Sequence, residues 1–193
     1  RCEDWASFGA PVQWLDRDQL SLKIGSRSYF GGWLDKRGGS VQPFSYVRGL
    51  AAAALRLGAQ IYVNSPAIAL VQQGGMWIVR TPHGSLAANH VIVATNGYTG
   101  RLVPGLRHSV VPFQSAQVAT TPLSPELKAS VMPSECAVSD SRRSLLYFRR
   151  SPDGRFLMGG RGGVLGRTGE RHWGYLRHVS EKIFPQLKGI RWD

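Results

Sequence analysis

Apolar residues recur at Val47, Leu50, Ala51, Ala54 and Leu57, while Arg48 and Arg56 fall off that stripe, which is the spacing of one helix face. Pro43 suits a first turn and Gly58 a C-terminal stop, so the pattern predicts a helix over 43–58 with its apolar face packed on a sheet. Ile61-Tyr62-Val63 follows at once as a predicted strand. Three short segments come next, Ile68 to Gln72, Met76 to Thr81 and Ser85 to Ala88, separated by Gln73-Gly74-Gly75 and Pro82-His83-Gly84. Connections that short join antiparallel neighbours, which makes a β-meander. The chain then reaches Val91-Ile92-Val93-Ala94, a β-branched run read as a buried strand and ended by Thr95-Asn96-Gly97. This strand is expected to lie parallel to Ile61–Val63 through a right-handed crossover.

The flanking regions read differently. Residues 1–30 are turn-rich, with Asp16 or Asp18 as the cap of a short helix, and Ser28 to Trp33 as a strand running into a tight turn at Gly31-Gly32. Prolines 104, 112, 122, 125 and 133 punctuate the next region, in which Val110 to Thr120 predicts a long strand and Pro125 to Ala129 a helical turn. Ser144 to Arg150 and Gly154 to Met158 predict a hairpin about Ser151-Pro152-Asp153-Gly154. Alternation puts Tyr147 and Arg149 on one face with Leu145, and Leu146 with Phe148 on the other. Gly159 to Gly166 is glycine-dense but misses the dinucleotide spacing at Leu165, so a flexible loop lining a site is expected. Thr168 to Phe184 predicts a second helix with Trp173, Leu176, Ser180 and Ile183 on one stripe, and Ile190-Arg191-Trp192 another strand. The fold class is α/β (α+β): part of a nucleotide-binding sheet with a meander, plus a mixed-sheet region.

Composition narrows the function classes. With 193 residues, 42% hydrophobic and 19% charged, the chain can build one good core or two small ones. No apolar run reaches the length of a membrane span and no signal-peptide core is present, so a soluble cytoplasmic protein is expected. Cys2 and Cys136 lack the spacing of a zinc site or redox pair and are expected to be reduced and structural. The net charge of +12 comes mostly from arginines scattered along the chain, without a basic block or helix stripe. A solvated basic surface accounts for this first; basic residues facing an anionic ligand or acidic segments of a larger protein come next, and a basic module for an acidic partner or nucleic acid is the alternative function, with nucleic acid ranked last.

A strand that stops in small residues leaves backbone N–H groups open, and nucleotide ligands lie at such ends in doubly wound sheets; a core strand followed by an Asn-Gly turn is the plainer reading of 91–97. Five groups of residues resemble one family: Gly39-Ser40-Val41-Gln42-Pro43, Leu50 to Ala59, Val91 to Tyr98, Tyr147 to Arg155 with Met158-Gly159-Gly160-Arg161, and Ser139 to Arg143. They resemble the flavin-dependent amine and amino-acid oxidases of the D-amino-acid oxidase superfamily, most of all its gamma-glutamylputrescine oxidase branch. The resemblance implies FAD as cofactor, a small amine or amino acid as substrate, and hydride transfer from the carbon next to the amine, with hydrolysis of the imine. It implies a partial FAD-binding region over 34–104 and a substrate-binding, catalytic region over 1–33 and 105–193. The cofactor contacts it implies are Ala67, Thr95, Asn96 and Gly97.

On the substrate side, Tyr147 and Arg149 are the candidate catalytic residues and Gly160 and Arg161 the candidate substrate loop, because a carboxylate-bearing amine needs a bidentate cation and a hydroxyl to orient it. The alternatives are a core aromatic for Tyr147 and surface charges for the arginines. His83 and His90 read as surface histidines, and no metal site is expected. A Gly-x-Gly-x-x-Gly turn is not found in the sequence. The chain therefore reads as the middle of a larger oxidase whose N- and C-terminal segments complete the cofactor site, and on its own it is expected to be inactive and not to retain FAD.

Overall fold

The computed structural model describes residues 2–111, 113–164 and 169–193, and for residues 163 and 164 the backbone only. In chain order the elements are α1 (Cys2–Ser7), β1 (Val12–Asp16), α2 (Arg17–Ile24), β2 (Gly31–Asp35), α3 (Pro43–Arg56), β3 (Ala69–Gln73), β4 (Met76–Thr81) and β5 (Gly84–Ala88). They continue with β6 (Phe113–Ala119), α4 (Pro125–Ser130), β7 (Val138–Ser139), β8 (Leu146–Arg150), β9 (Phe156–Val164) and α5 (Glu170–Ile183). The chain divides into two compact units, one made of Arg1–Pro43 with Gln114–Asp193 and the other of Phe44–Phe113. The class is mixed α/β with several sheets, as the sequence predicts.

The first unit holds the core. Its four-stranded sheet runs in the order β6-β9-β8-β7, and the β8–β9 and β7–β8 pairs are antiparallel. Ala116, Val118, Leu146, Phe148, Phe156 and Met158 alternate along three of its strands and are all buried, so one sheet face is apolar. Leu176, Val179, Ser180 and Ile183 of α5 are also buried, and their spacing is the helical stripe that fits such a face. Val179 replaces the expected Trp173, which stays partly exposed. Phe156 and Phe184 meet edge-to-face at 5.1 Å between ring centroids. The hairpin forms as predicted, with the Ser151 N–H donating to Arg155 O at 2.9 Å. In the same unit, Asp16 caps α2, accepting from Gln19 N–H at 2.8 Å while the Gln19 side chain accepts from the Asp16 N–H, a reciprocal capping box.

Two turn-and-loop expectations are corrected here. Gly31-Gly32 forms no tight turn but opens β2, paired with Asp16 and Leu15 of β1. A Cβ on Gly31 would lie 2.8 Å from the Leu15 carbonyl oxygen and 2.9 Å from the Trp14 ring, so glycine leaves room for both backbone and side chain of the paired strand. Gly159-Gly160-Arg161 likewise lies within strand β9 and not in a flexible loop, because β8 and β6 flank it and take up its backbone groups. Leu165, Gly166 and the predicted helix start at Thr168 lie outside the described residues, as does Pro112.

The second unit contains α3 and the meander. Sheet order β3-β4-β5 is antiparallel throughout, and the first turn is the pair Gly74-Gly75 with φ of 58° and 81°, which glycine adopts without strain. Helix α3 forms where predicted, but none of its residues is buried; Phe44, Val47 and Leu50 are exposed, as is Leu57 just past its end. The expected parallel pair is also absent: neither 61–63 nor 91–93 is a strand, and Tyr62, Val63 and Ile92 are exposed. Parallel pairing is non-local and needs a partner edge on each strand, and the meander is the sole sheet of this unit among the described residues.

Candidate functional site

Tyr147 and Arg149 leave β8 on the face opposite the buried Leu146 and Phe148. The register sets Tyr147 beside Gly159 and Ser139, and Arg149 beside Leu157, so these side-chain positions share the open face. The phenol of Tyr147 is in contact with the Ser115 hydroxyl of β6, which carries the polar row across the sheet. Glycine at 159 is what allows the ring to lie down on the strand, since a Cβ there would sit 2.1 Å from Tyr147 Cε2. Arg149 is half-buried, and its guanidinium has no hydrogen-bond or ion-pair partner among the described residues. A half-buried cation beside a phenol and two serine hydroxyls can hold a small carboxylate.

The other substrate-side candidates separate. Arg161 is exposed on β9, two positions beyond Gly159 and so on the same face. Gly160 faces the opposite way: a Cβ there would meet Leu146 Cδ2 at 3.1 Å and Leu176 Cδ2 at 3.2 Å, so its role is close packing against the core. Sequence reasoning missed Ser115 and Ser139, because the cross-strand register that brings them to Tyr147 is a tertiary fact. The alternation of β6 about the buried Ala116 and Val118 is the signal that could have placed Ser115.

The four cofactor-side candidates lie in the second unit and are all exposed. Ala67 lies just before β3. Thr95 opens a short 3₁₀ turn over Asn96–Tyr98, in which the Tyr98 N–H donates to Thr95 O at 2.9 Å and the Thr99 N–H to Asn96 O at 3.3 Å. The Thr95 and Thr99 hydroxyls bond at 2.7 Å, and Asn96 has φ of 45°. A Cβ on Gly97 would meet nothing within 4 Å, so the turn presents open backbone. His83, between β4 and β5, and His90 are exposed, and no cluster of potential metal ligands occurs among the described residues.

The family profile described as "DAO: FAD dependent oxidoreductase" matches residues 1–193. The chain belongs to the FAD-dependent oxidoreductase family. It is 33% identical over 186 residues to the probable oxidoreductase OrdL of Rhizobium meliloti (strain 1021), covering 95% of this chain and 42% of that protein. It is also 33% identical to the gamma-glutamylputrescine oxidoreductase of Escherichia coli (strain K12), covering 99% of this chain and 45% of that protein. The chain thus spans less than half the length of these curated relatives. Its fold is similar to that of glycine oxidase from Geobacillus kaustophilus, with a TM-score of 0.76 at 19% identity over 100% of this chain and 51% of that structure.

Membership in an FAD-dependent family asks whether this chain's residues fit the cofactor. The exposed 3₁₀ turn with an uncrowded Gly97 fits approach by an adenosine group. Gly169 is the N-cap of α5, but residues 165–168 before it lie outside the described residues, and the sequence has no Gly-x-Gly-x-x-Gly turn, the usual pyrophosphate site. No helix of the described residues is long and apolar enough to cross a membrane.

Proposed function

We propose that this chain supplies the substrate-facing sheet and part of the cofactor contacts of an FAD-dependent enzyme that oxidises the carbon next to the amine of a small amine or amino acid. The observation that carries this reading is the shared open face of Tyr147 and Arg149, turned away from the core beside Gly159. Arg149 holds the substrate carboxylate through paired N–H donors, and the Tyr147 phenol, supported by Ser115, orients the amine end. FAD, when bound, accepts the hydride from the carbon next to the amine. Ala67, Thr95, Asn96 and Gly97 contact its adenosine half. In this reading residues 34–104 form the cofactor side and 1–33 with 105–193 the substrate side, and the separate compactness of Phe44–Phe113 supports the division. Gamma-glutamylputrescine-like substrates are the finer reading that the relatives favour.

The basic-module alternative rests on the net charge of +12 alone. Arg37, Arg142, Arg155 and Arg177 pair with Asp35, Asp140, Asp153 and Glu170 at 2.7–3.2 Å, which engages an equal number of acidic residues and leaves that net charge as it is.

The test uses the longer oxidoreductase polypeptide that contains this chain, assayed on an amino acid and on the matching amine without its carboxylate. Arg149→Leu is expected to raise KM for the amino acid about 10- to 100-fold, the loss of a charged hydrogen-bonded pair, and to leave the amine nearly unchanged. Equal losses on both substrates would remove Arg149 from the carboxylate role.

A further inference from the structure

The first unit contains a cavity of about 430 Å³ that touches neither Tyr147 nor Arg149. Two of its walls are unbroken runs of consecutive residues. Gly31, Gly32, Trp33 and Leu34 of β2 form one, and residues 136–141, which include β7, form the other. Side chains of a strand alternate between faces, so a cavity that touches every residue in succession lies along the strand's hydrogen-bonding edge. Among the described residues both edges are free: β2 pairs with β1 alone, and β7 is the outer strand of its sheet. The remaining lining is largely apolar, including Leu15, Leu20, Ile24 and the Tyr29 ring.

Two charged residues border the cavity, Lys23 and Asp140, and the carboxylate is already satisfied. The Asp140 side chain is 2% exposed and pairs with Arg142 Nε at 3.1 Å. It also accepts from Leu146 N–H at 2.9 Å, Arg142 N–H at 3.3 Å and the Tyr29 hydroxyl at 3.5 Å. Four donors fill the capacity of a carboxylate, leaving it nothing to offer a cationic ligand. What remains on offer is unpaired strand backbone above an apolar floor, and unpaired edges are templates for another strand.

We propose that the gap between β2 and β7 receives an extended, uncharged β-strand from polypeptide outside these residues, which pairs with one or both edges and places its apolar side chains on Leu15, Leu20 and Ile24. The volume suits three or four residues, at roughly 110–130 Å³ per residue in a close-packed interior. The relatives supply the source: more than half the length of each lies beyond the matched region, since the chain covers 42% and 45% of them. Backbone pairing gives such a strand its affinity, and alternate side chains its register.

The experiment is amide hydrogen exchange on the longer oxidoreductase polypeptide containing this chain, with peptides covering 31–34 and 137–139, together with iodoacetamide labelling of Cys136, which borders the same cavity. Inserted pairing is expected to slow the edge amides by about 100-fold or more relative to unstructured peptide rates. It is also expected to slow Cys136 alkylation by at least tenfold against the denatured protein. Both readouts are repeated after removal of flavin and substrate, and persistence of the protection assigns it to the strand and not to the catalytic face. Exchange of both edges at unstructured rates, or protection that vanishes with the flavin, would overturn the proposal whatever the catalytic activity.

Discussion

The ring of Tyr147 occupies the space that a side chain at Gly159 would need. The two residues are direct partners across β8 and β9, and a Cβ on Gly159 would come within 2.3 Å of Tyr147 Cζ. The glycine therefore permits this orientation of the phenol, which puts its oxygen at Ser115.

Gly159→Ala is expected to swing the ring off the strand and destabilise the chain by about 1–3 kcal/mol, the range for overpacking. In a Tyr147→Ala background the same change should cost far less, because the obstructing ring is gone. Urea unfolding of the four variants of this cycle measures the coupling, and additive losses would show that the two residues do not share the space.

Arg150 tests a second dependence. Its guanidinium donates to the carbonyls of Lys128 at 2.6 Å and Val131 at 3.3 Å and pairs with Glu135, while its side chain is only 10% exposed. Arg150→Met leaves those carbonyls without their donor and is expected to lose about 3 kcal/mol. Glu135 is 71% exposed, so Glu135→Gln should change stability by no more than about 0.5 kcal/mol. Thermal or urea midpoints of the two variants separate these cases.

Gly25 closes α2 at φ of 76°, where a Cβ would sit 1.8 Å from Ser130 O. Neither the backbone angle nor the neighbouring carbonyl can yield cheaply, so Gly25→Ala is expected to lose about 3 kcal/mol, the upper end for single changes. Gly154 has a similar φ of 83°, but a Cβ there meets the flexible end of Lys128. Gly154→Ala should therefore lose about 1–2 kcal/mol, mainly from the left-handed backbone. A reversed order in chemical denaturation would contradict this packing.

Alkaline pH gives a further check. Burial, and then the nearby Asp140 charge, push the Tyr29 phenol from 10.0 up to about 12. Above pH 10 the unfolded chain releases this proton while the folded chain keeps it, so stability falls as pH rises. The loss between pH 10 and 12 is expected to be on the order of 2 kcal/mol and to be absent in Tyr29→Phe. Urea midpoints across that range, compared between the two proteins, measure it.

Local chemistry in the sequence was sufficient for several elements. The α3 helix, the cap at Asp16 (one of the two candidates, with Asp18), the Gly74-Gly75 turn and the hairpin about Ser151–Gly154 all depend on interactions within a few residues, and each formed, although the α3 face expected to pack on a sheet is not buried. The alternation that sets Tyr147 and Arg149 apart from Leu146 and Phe148 is equally local, because successive strand residues face opposite ways. The family was also legible, since its groups of residues are stretches of sequence.

Tertiary structure decided what depends on neighbours distant in the chain. Gly160 and Gly159 are identical in sequence, yet one faces Leu176 and the other Tyr147, and only strand register tells them apart. Val91 to Ala94 has the composition of a buried strand but lacks a partner edge among the described residues, so it stays irregular. A helix needs only its own backbone to satisfy its hydrogen bonds, and α3 forms even with its apolar face exposed; a strand exists only when another strand accepts it.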